Sequence, residues 1–272
     1  MTTGRLDGRV VLITGAARGI GARTARLAAA RGATLALAGL EPGLLDAVAA
    51  ELGPGHAAYE CDVTDQAALD RVVARVVGDL GGIDVVVANA GVANNGTVAV
   101  NPVDAHVRTV EVNLIGVIRT VCATLPYVTA RRGHYLLVSS LAAFTVLPSM
   151  AAYCASKAGV EQFGNALRLE VAHKGVTVGT AHPGWIDTDL VRDQQAESTT
   201  FREVLGSLPW PLDVISSVDA CAAAFVDGIV RRKRRVYVPR ALGIAQLLRS
   251  VVLSPLGDLP VRRGAARRVP VH

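Results

Sequence analysis

Short runs of branched apolar residues alternate with longer helical stretches along most of this chain, which restricts it to very few folds. Residues 10–14, 34–38, 57–61, 83–88, 135–139 and 177–181 read as strands. Between them, residues 19–31, 44–52, 66–80, 103–130 and 151–173 have the length and periodicity of helices. Pro126 is expected to interrupt the fourth of these. Strands that are apolar at nearly every position are buried on both faces, as in a parallel sheet covered by helices. The alternation therefore predicts an α/β fold, a doubly wound parallel sheet with helices on both faces, in one domain over residues 1–239. A basic amphipathic extension over 240–272 follows it.

Composition narrows the function classes. Of 272 residues, 51% are hydrophobic and 19% charged, which excludes a disordered chain. The net charge of +5 is unevenly placed. Residues 231–272 hold eleven basic residues against one acid, Asp258, whereas residues 1–230 hold 17 basic and 22 acidic ones. The basic character thus belongs to the tail and says little about a site in the body. The run Arg231-Arg232-Lys233-Arg234-Arg235 reads as a solvated helix end before a strand at 236–238, and nucleic acid is not an expected partner. Cys61, Cys122, Cys154 and Cys221 have no CxxC spacing and no cluster, so neither a disulfide scaffold nor a metal site is expected. A reducing compartment, the cytoplasm, fits best. The first ten residues carry no apolar secretory core, and no run approaches the roughly 20 apolar residues that span a bilayer.

Directly after the first strand stands Thr14-Gly15-Ala16-Ala17-Arg18-Gly19-Ile20-Gly21, opening a helix. A sharp strand-to-helix turn needs glycine, and a pyrophosphate needs backbone N–H groups that approach it without a Cβ in the way. This spacing resembles the TGxxxGxG signature of the short-chain dehydrogenase/reductase family. The resemblance extends over residues 6–239. Asp62-Val63 is similar to the family's adenine-contacting pair, and Asn89-Ala90-Gly91 to its NNAG segment, with Ala88 in place of the first asparagine. Pro183-Gly184 is similar to its PG turn, which implies that the Ile186 backbone and the Thr188 side chain meet the carboxamide and phosphates. An NAD or NADP cofactor is thereby implied. The second strand ends Ala38-Gly39-Leu40, with no carboxylate to bond both ribose hydroxyls and exclude a 2′-phosphate. Arg18 favours NADP by charge complementarity, while Glu41 opposes it.

Tyr153-Cys154-Ala155-Ser156-Lys157 begins the helix at 151. Four residues apart, tyrosine and lysine share one helical face, where an ammonium favours the phenolate. Tyr153 is therefore the candidate acid and base. Ser140 at the end of the preceding strand, and Asn113 in the long helix before it, match the family in order and spacing. The resemblance assigns substrate-oxygen binding to Ser140 and proton exchange to Tyr153. To Lys157 it assigns lowering of the Tyr153 pKa and binding of the nicotinamide ribose, and to Asn113 the positioning of a relay water. It implies hydride transfer between the nicotinamide and a carbinol carbon. His182 and Ser139 read as structural.

The resemblance implies that residues 186–217 fold over the nicotinamide as a lid, and Leu190, Phe201, Leu205, Leu208 and Trp210 make it apolar. Val92, Ala142, Phe144 and Leu147 are expected to line the same pocket, which points to a hydrophobic secondary alcohol or ketone. A homodimer or homotetramer is implied by the family, with Val107, Val110, Leu114, Val117, Val121, Phe163 and Leu167 as candidate contacts. In the tail, Ile244, Leu247, Leu248 and Val251 form an apolar helical face. It is expected to pack on the lid or on a neighbouring subunit, with peripheral membrane contact through the flanking arginines as the alternative. A serine hydrolase is disfavoured because no GxSxG elbow is present. A catalytically silent dinucleotide sensor is the remaining alternative.

Overall fold

Each strand of the central sheet carries apolar side chains on both of its faces, and the computed structural model places helices against both. The structure describes residues 6–188, 205, 208 and 210–254. In chain order these form β1 (Val10–Thr14), α1 (Gly19–Ala29), β2 (Thr34–Gly39), α2 (Pro42–Leu52), β3 (Ala57–Glu60), α3 (Gln66–Leu80) and β4 (Val85–Ala88). Then follow α4 (Val103–Val110), a π-helical turn (Glu111–Ile115), α5 (Gly116–Ala130), β5 (His134–Val138), α6 (Ala151–Val171), β6 (Thr177–Pro183) and β7 (Trp185–Ile186). Last come β8 (Ile215–Ser216), α7 (Val218–Val230), β9 (Arg235–Val238), α8 (Leu242–Leu247) and α9 (Arg249–Val252).

Seven strands pair in the order β3-β2-β1-β4-β5-β6-β9, all parallel. Strand alternation divides the core in two. Val11, Ile13, Leu35, Leu37, Val87 and Leu136 pack with α1, α2 and α7. Their neighbours Val10, Leu12, Ala36, Val86, Tyr135 and Leu137 pack with α3, α5 and α6. The doubly wound parallel sheet is as expected.

Three local expectations change. The long helical stretch is not interrupted at Pro126, which lies inside α5. The irregularity falls instead at the π turn Glu111–Ile115, which contains Asn113; such one-turn expansions recur at functional sites. Over 28 residues Val103–Ala130 is long and apolar enough to cross a bilayer, yet Val112, Val117, Val121 and Val128 are spent on the core. In the tail, Leu242 and Ala245 are buried, whereas Ile244, Leu247, Leu248 and Val251 are exposed. The expected apolar face is thus not the one that packs on this chain, because the helical path breaks at Leu248 between α8 and α9.

The basic run is used internally, as its position beside β9 requires. Arg231 and Lys233 both pair with Asp227, at 2.7 and 2.6 Å. Arg232 donates to the carbonyl of Arg132, and Arg235 pairs with buried Glu161.

Two buried histidines should make the fold sensitive to acid. Burial pushes His134 down to about 3 and His182 down to about 4. Unfolded, both would take up protons near their ordinary value, so below about pH 6.5 the unfolded chain binds more protons than the folded one. Stability should therefore fall with acidification, each histidine contributing up to about 1.4 kcal/mol per pH unit. Urea midpoints at about pH 7.5 and about pH 5 check this, with the lower midpoint expected at the lower pH; equal midpoints would contradict it.

Candidate active site

The β1–α1 turn is built on backbone proximity. Gly15 has φ +65°, and a Cβ on it would lie 2.8 Å from the Ala90 Cα. A Cβ on Gly21 would collide with the Gly15 carbonyl oxygen. Only glycine lets the turn close this tightly. Asn89, one residue past β4, secures it: its side-chain amide donates to the Thr14 and Gly15 carbonyls, both at 3.1 Å. Thr14 Oγ1 accepts from the backbone N–H groups of Asn89 and Ala90. The first turn of α1 has neither a capping side chain nor an acid. An uncapped, glycine-lined helix start facing a cavity is the donor set that a pyrophosphate requires, so the residues fit a dinucleotide.

That cavity, about 720 Å³, runs from the glycine turn to the carboxyl ends of β5 and β6. Gly15, Arg18, Gly19, Ile20, Asp62, Val63, Asn89, Ala90, Gly91, Ser140, Tyr153, Lys157, Pro183, Gly184, Ile186 and Thr188 all line it. Gly21 lies behind the turn, and Asn113 is fully buried beneath Gly91. Val92 and Leu147 line the cavity as expected. Ala142 and Phe144 do not: both are buried in a cluster with Trp185, Leu205, Leu212 and Leu242. Trp210 is exposed and Leu205 and Leu208 join that same cluster, while Leu190 and Phe201 lie outside the described residues.

Lys157 Nζ donates to the Val138 carbonyl at 3.0 Å and lies 5.7 Å from the Tyr153 ring centre. Burial lowers the lysine to about 8. Tyr153 differs from expectation: burial holds its phenol above the ordinary value, against a hydrogen bond with Ser140 that works to lower it. The lysine is anchored on the Val138 carbonyl, and burial of the phenol dominates its shift. Ser140 Oγ accepts from the Ala142 N–H at 3.1 Å and reaches the Pro183 carbonyl at 3.5 Å. Ser139 points the other way, donating to the Lys157 carbonyl at 2.8 Å and tying β5 to α6. Asn113 uses its amide on both backbone groups of Val92, at 2.8 and 2.9 Å, and on Ser156 Oγ at 3.3 Å.

At the opposite end, Arg18 pairs with Glu41 at 3.0 Å on the cavity rim. Burial works to raise the Asp62 carboxyl, but two bonds from Thr64 and the Arg108 guanidinium hold it below its usual value. Sequence reasoning missed Arg108, Asn94, Leu141, Met150 and Trp185 as lining residues. Leu141, Met150 and Trp185 each sit within a few residues of a recognised motif, but an apolar residue there reads the same as core.

The short chain dehydrogenase family matches residues 9–199. The chain is 35% identical over 231 residues to Nodulation protein G of a Rhizobium species, covering 82% of this chain and 94% of that one. It is 32% identical over 230 residues to the 3-oxoacyl-acyl-carrier-protein reductase FabG of Vibrio cholerae, with the same coverages. The crystal structure of a short-chain type dehydrogenase/reductase from Mycobacterium marinum superposes with a TM-score of 0.77 at 26% identity, covering 86% of this chain and 95% of the other. Nothing in the site favours a catalytically silent protein. The chain belongs to the short-chain dehydrogenase family of oxidoreductases, whose members bind NAD(P).

Proposed function

We propose that this protein interconverts a hydrophobic secondary alcohol and its ketone, with Tyr153 as proton donor and acceptor. The single observation that carries this reading is one continuous cavity joining the glycine turn to Ser140, Tyr153 and Lys157. The bound dinucleotide supplies the hydride acceptor or donor. Ser140 bonds the substrate oxygen and stabilises its developing charge, since it lines the cavity in hydrogen-bond reach of the Tyr153 phenol. Tyr153 gives a proton to that oxygen in reduction and removes it in oxidation. Lys157 holds the ribose, and Asn113 holds the 92–113 contact that shapes the floor beneath it. Leu141, Leu147, Met150 and Trp185 make the substrate end apolar.

Burial raises the Tyr153 phenol, so at neutral pH it carries the proton that reduction delivers to the substrate oxygen. Val103 and Val107 of α4 remain exposed and support a homodimer or homotetramer, whereas Val117, Val121 and Leu167 are committed to the core. Four free cysteines support a reducing, cytoplasmic setting.

Tyr153→Phe should reduce turnover by about 10²–10⁴-fold while leaving cofactor affinity nearly intact. Lys157→Ala should damage both. In the wild type the oxidation rate should climb with pH into the alkaline range, and the reduction rate should hold steady across neutrality. Steady-state kinetics with NADPH or NADH and a panel of apolar ketones checks this, and near-normal turnover by Tyr153→Phe would remove Tyr153 from the chemistry.

For the cofactor, NADP is the favoured reading, with Arg18 exchanging Glu41 for the 2′-phosphate. Arg18→Ala should weaken NADP by about ten- to a hundredfold and NAD far less, the cost of one charge-assisted bond. Glu41→Gln should tighten NADP, by a smaller factor because the pair is exposed to solvent. A Cβ at Gly39 meets only ordinary contacts at 3.7 Å, so Gly39→Asp is sterically allowed and should move preference toward NAD. Fluorescence titration of each variant with both cofactors measures these shifts. Equal losses for both in Arg18→Ala would show that Arg18 does not read the phosphate.

A further inference from the structure

Behind Ser140, on the side away from the cavity, lies a buried polar chain that no step described so far uses. His182 on β6 is fully buried, and its Nδ1 lies 3.3 Å from the Ser140 carbonyl oxygen. Its Nε2 faces Thr180 Oγ1 at 3.2 Å and the Arg235 guanidinium at 3.3 Å. The ring stacks on Tyr237 with centroids 5.3 Å apart and planes at 25°, and Phe144 closes the other side at 5.6 Å. Arg235 is held in turn by buried Glu161 at 2.7 Å and by Asn165 at 3.2 Å. Glu161 also accepts from Gln246 of α8 at 2.8 Å.

The partners fix the tautomer. A carbonyl oxygen only accepts, so Nδ1 must carry the hydrogen to bond Ser140. A guanidinium only donates, so Nε2 must be the lone-pair nitrogen. A neutral Nδ1–H imidazole satisfies both, and the lowered pKa of His182 agrees with it. Ser140 is then held on both sides: its carbonyl by the His182 ring, and its Oγ by the Ala142 N–H it accepts from at 3.1 Å, which leaves the hydroxyl hydrogen free. With the backbone of Ser140 fixed, its Oγ is held in the direction of Tyr153.

We propose that His182, locked as its Nδ1–H tautomer by the Arg235–Glu161 pair, is a positioning residue that aims the Ser140 hydroxyl at the substrate oxygen. This rests on the proposed role of Ser140. His182 touches neither substrate nor cofactor, so it acts on kcat through Ser140 and not on cofactor binding.

Three substitutions and a control test it. Phenylalanine keeps the ring packing and loses the donor. Asparagine places an amide N–H near the reach of Nδ1. Glutamine places it near the reach of Nε2, where it cannot serve the Ser140 carbonyl. With NADPH and the apolar ketone turned over fastest by the wild type, His182→Phe should lower kcat by about three- to tenfold, the weight of one hydrogen bond of ordinary strength. Cofactor affinity should change little. His182→Asn should recover most of the loss, and His182→Gln should not. If His182→Phe fails to fold, the contrast between asparagine and glutamine still decides, since both are neutral amides. Wild-type kcat in His182→Phe, or equal kcat in the two amide variants, overturns the proposal. The control is Ser140→Ala: unchanged turnover there means that the role given to Ser140 is wrong, whereas a large loss there with none in His182→Phe rejects only the positioning role.

Discussion

Parallel pairing of β4, β5 and β6 carries Asn89, Ser140 and the His182–Gly184 segment to one edge of the sheet. Both faces of the sheet are filled by helices, so that edge is where polar groups can gather around a cavity without costing the core its packing. The tight β1–α1 turn adds the backbone donors beside it. Gly15 and Gly21 let the turn lie against Ala90, and Asn89 locks the two strand ends together. Loosening that contact would displace the glycine turn relative to Ser140, Tyr153 and Lys157.

Desolvation sets the chemistry at the other end of the cavity. It lowers Lys157, raises Tyr153, and keeps His182 neutral. The phenol lies beside a serine hydroxyl, and the Val138 carbonyl gives the lysine a fixed place. The same burial keeps His134 and His182 neutral, so acid should destabilise the fold through them.

Much of this was legible in the sequence because it rests on local pattern. Apolar runs fixed the strands, and the spacing of Gly15, Gly19 and Gly21, with Tyr153 four residues before Lys157, marked the two ends of the site. What stayed hidden depends on distant residues meeting. Glu161, His182, Arg235 and Gln246 come from four separate elements, and no spacing rule links them. Phe144 was expected in the pocket, yet it packs on His182, because a single 3-10 turn at Leu141–Ala143, which no sequence periodicity marks, sets which way it faces. Pro126 was expected to break a helix that in fact yields at Asn113. The tail pattern of Ile244, Leu247, Leu248 and Val251 is real, but Leu242 and Ala245 do the packing.

The central claim is that the Ser140–Tyr153–Lys157 end of the cavity carries a substrate carbon that exchanges hydride directly with the dinucleotide. Reduction of an apolar ketone with NADPH or NADH deuterated at the transferred position of C4 tests it most directly, read by mass spectrometry of the alcohol. The account predicts deuterium on the carbinol carbon, retained in ordinary water. An alcohol formed without deuterium at that carbon would contradict it.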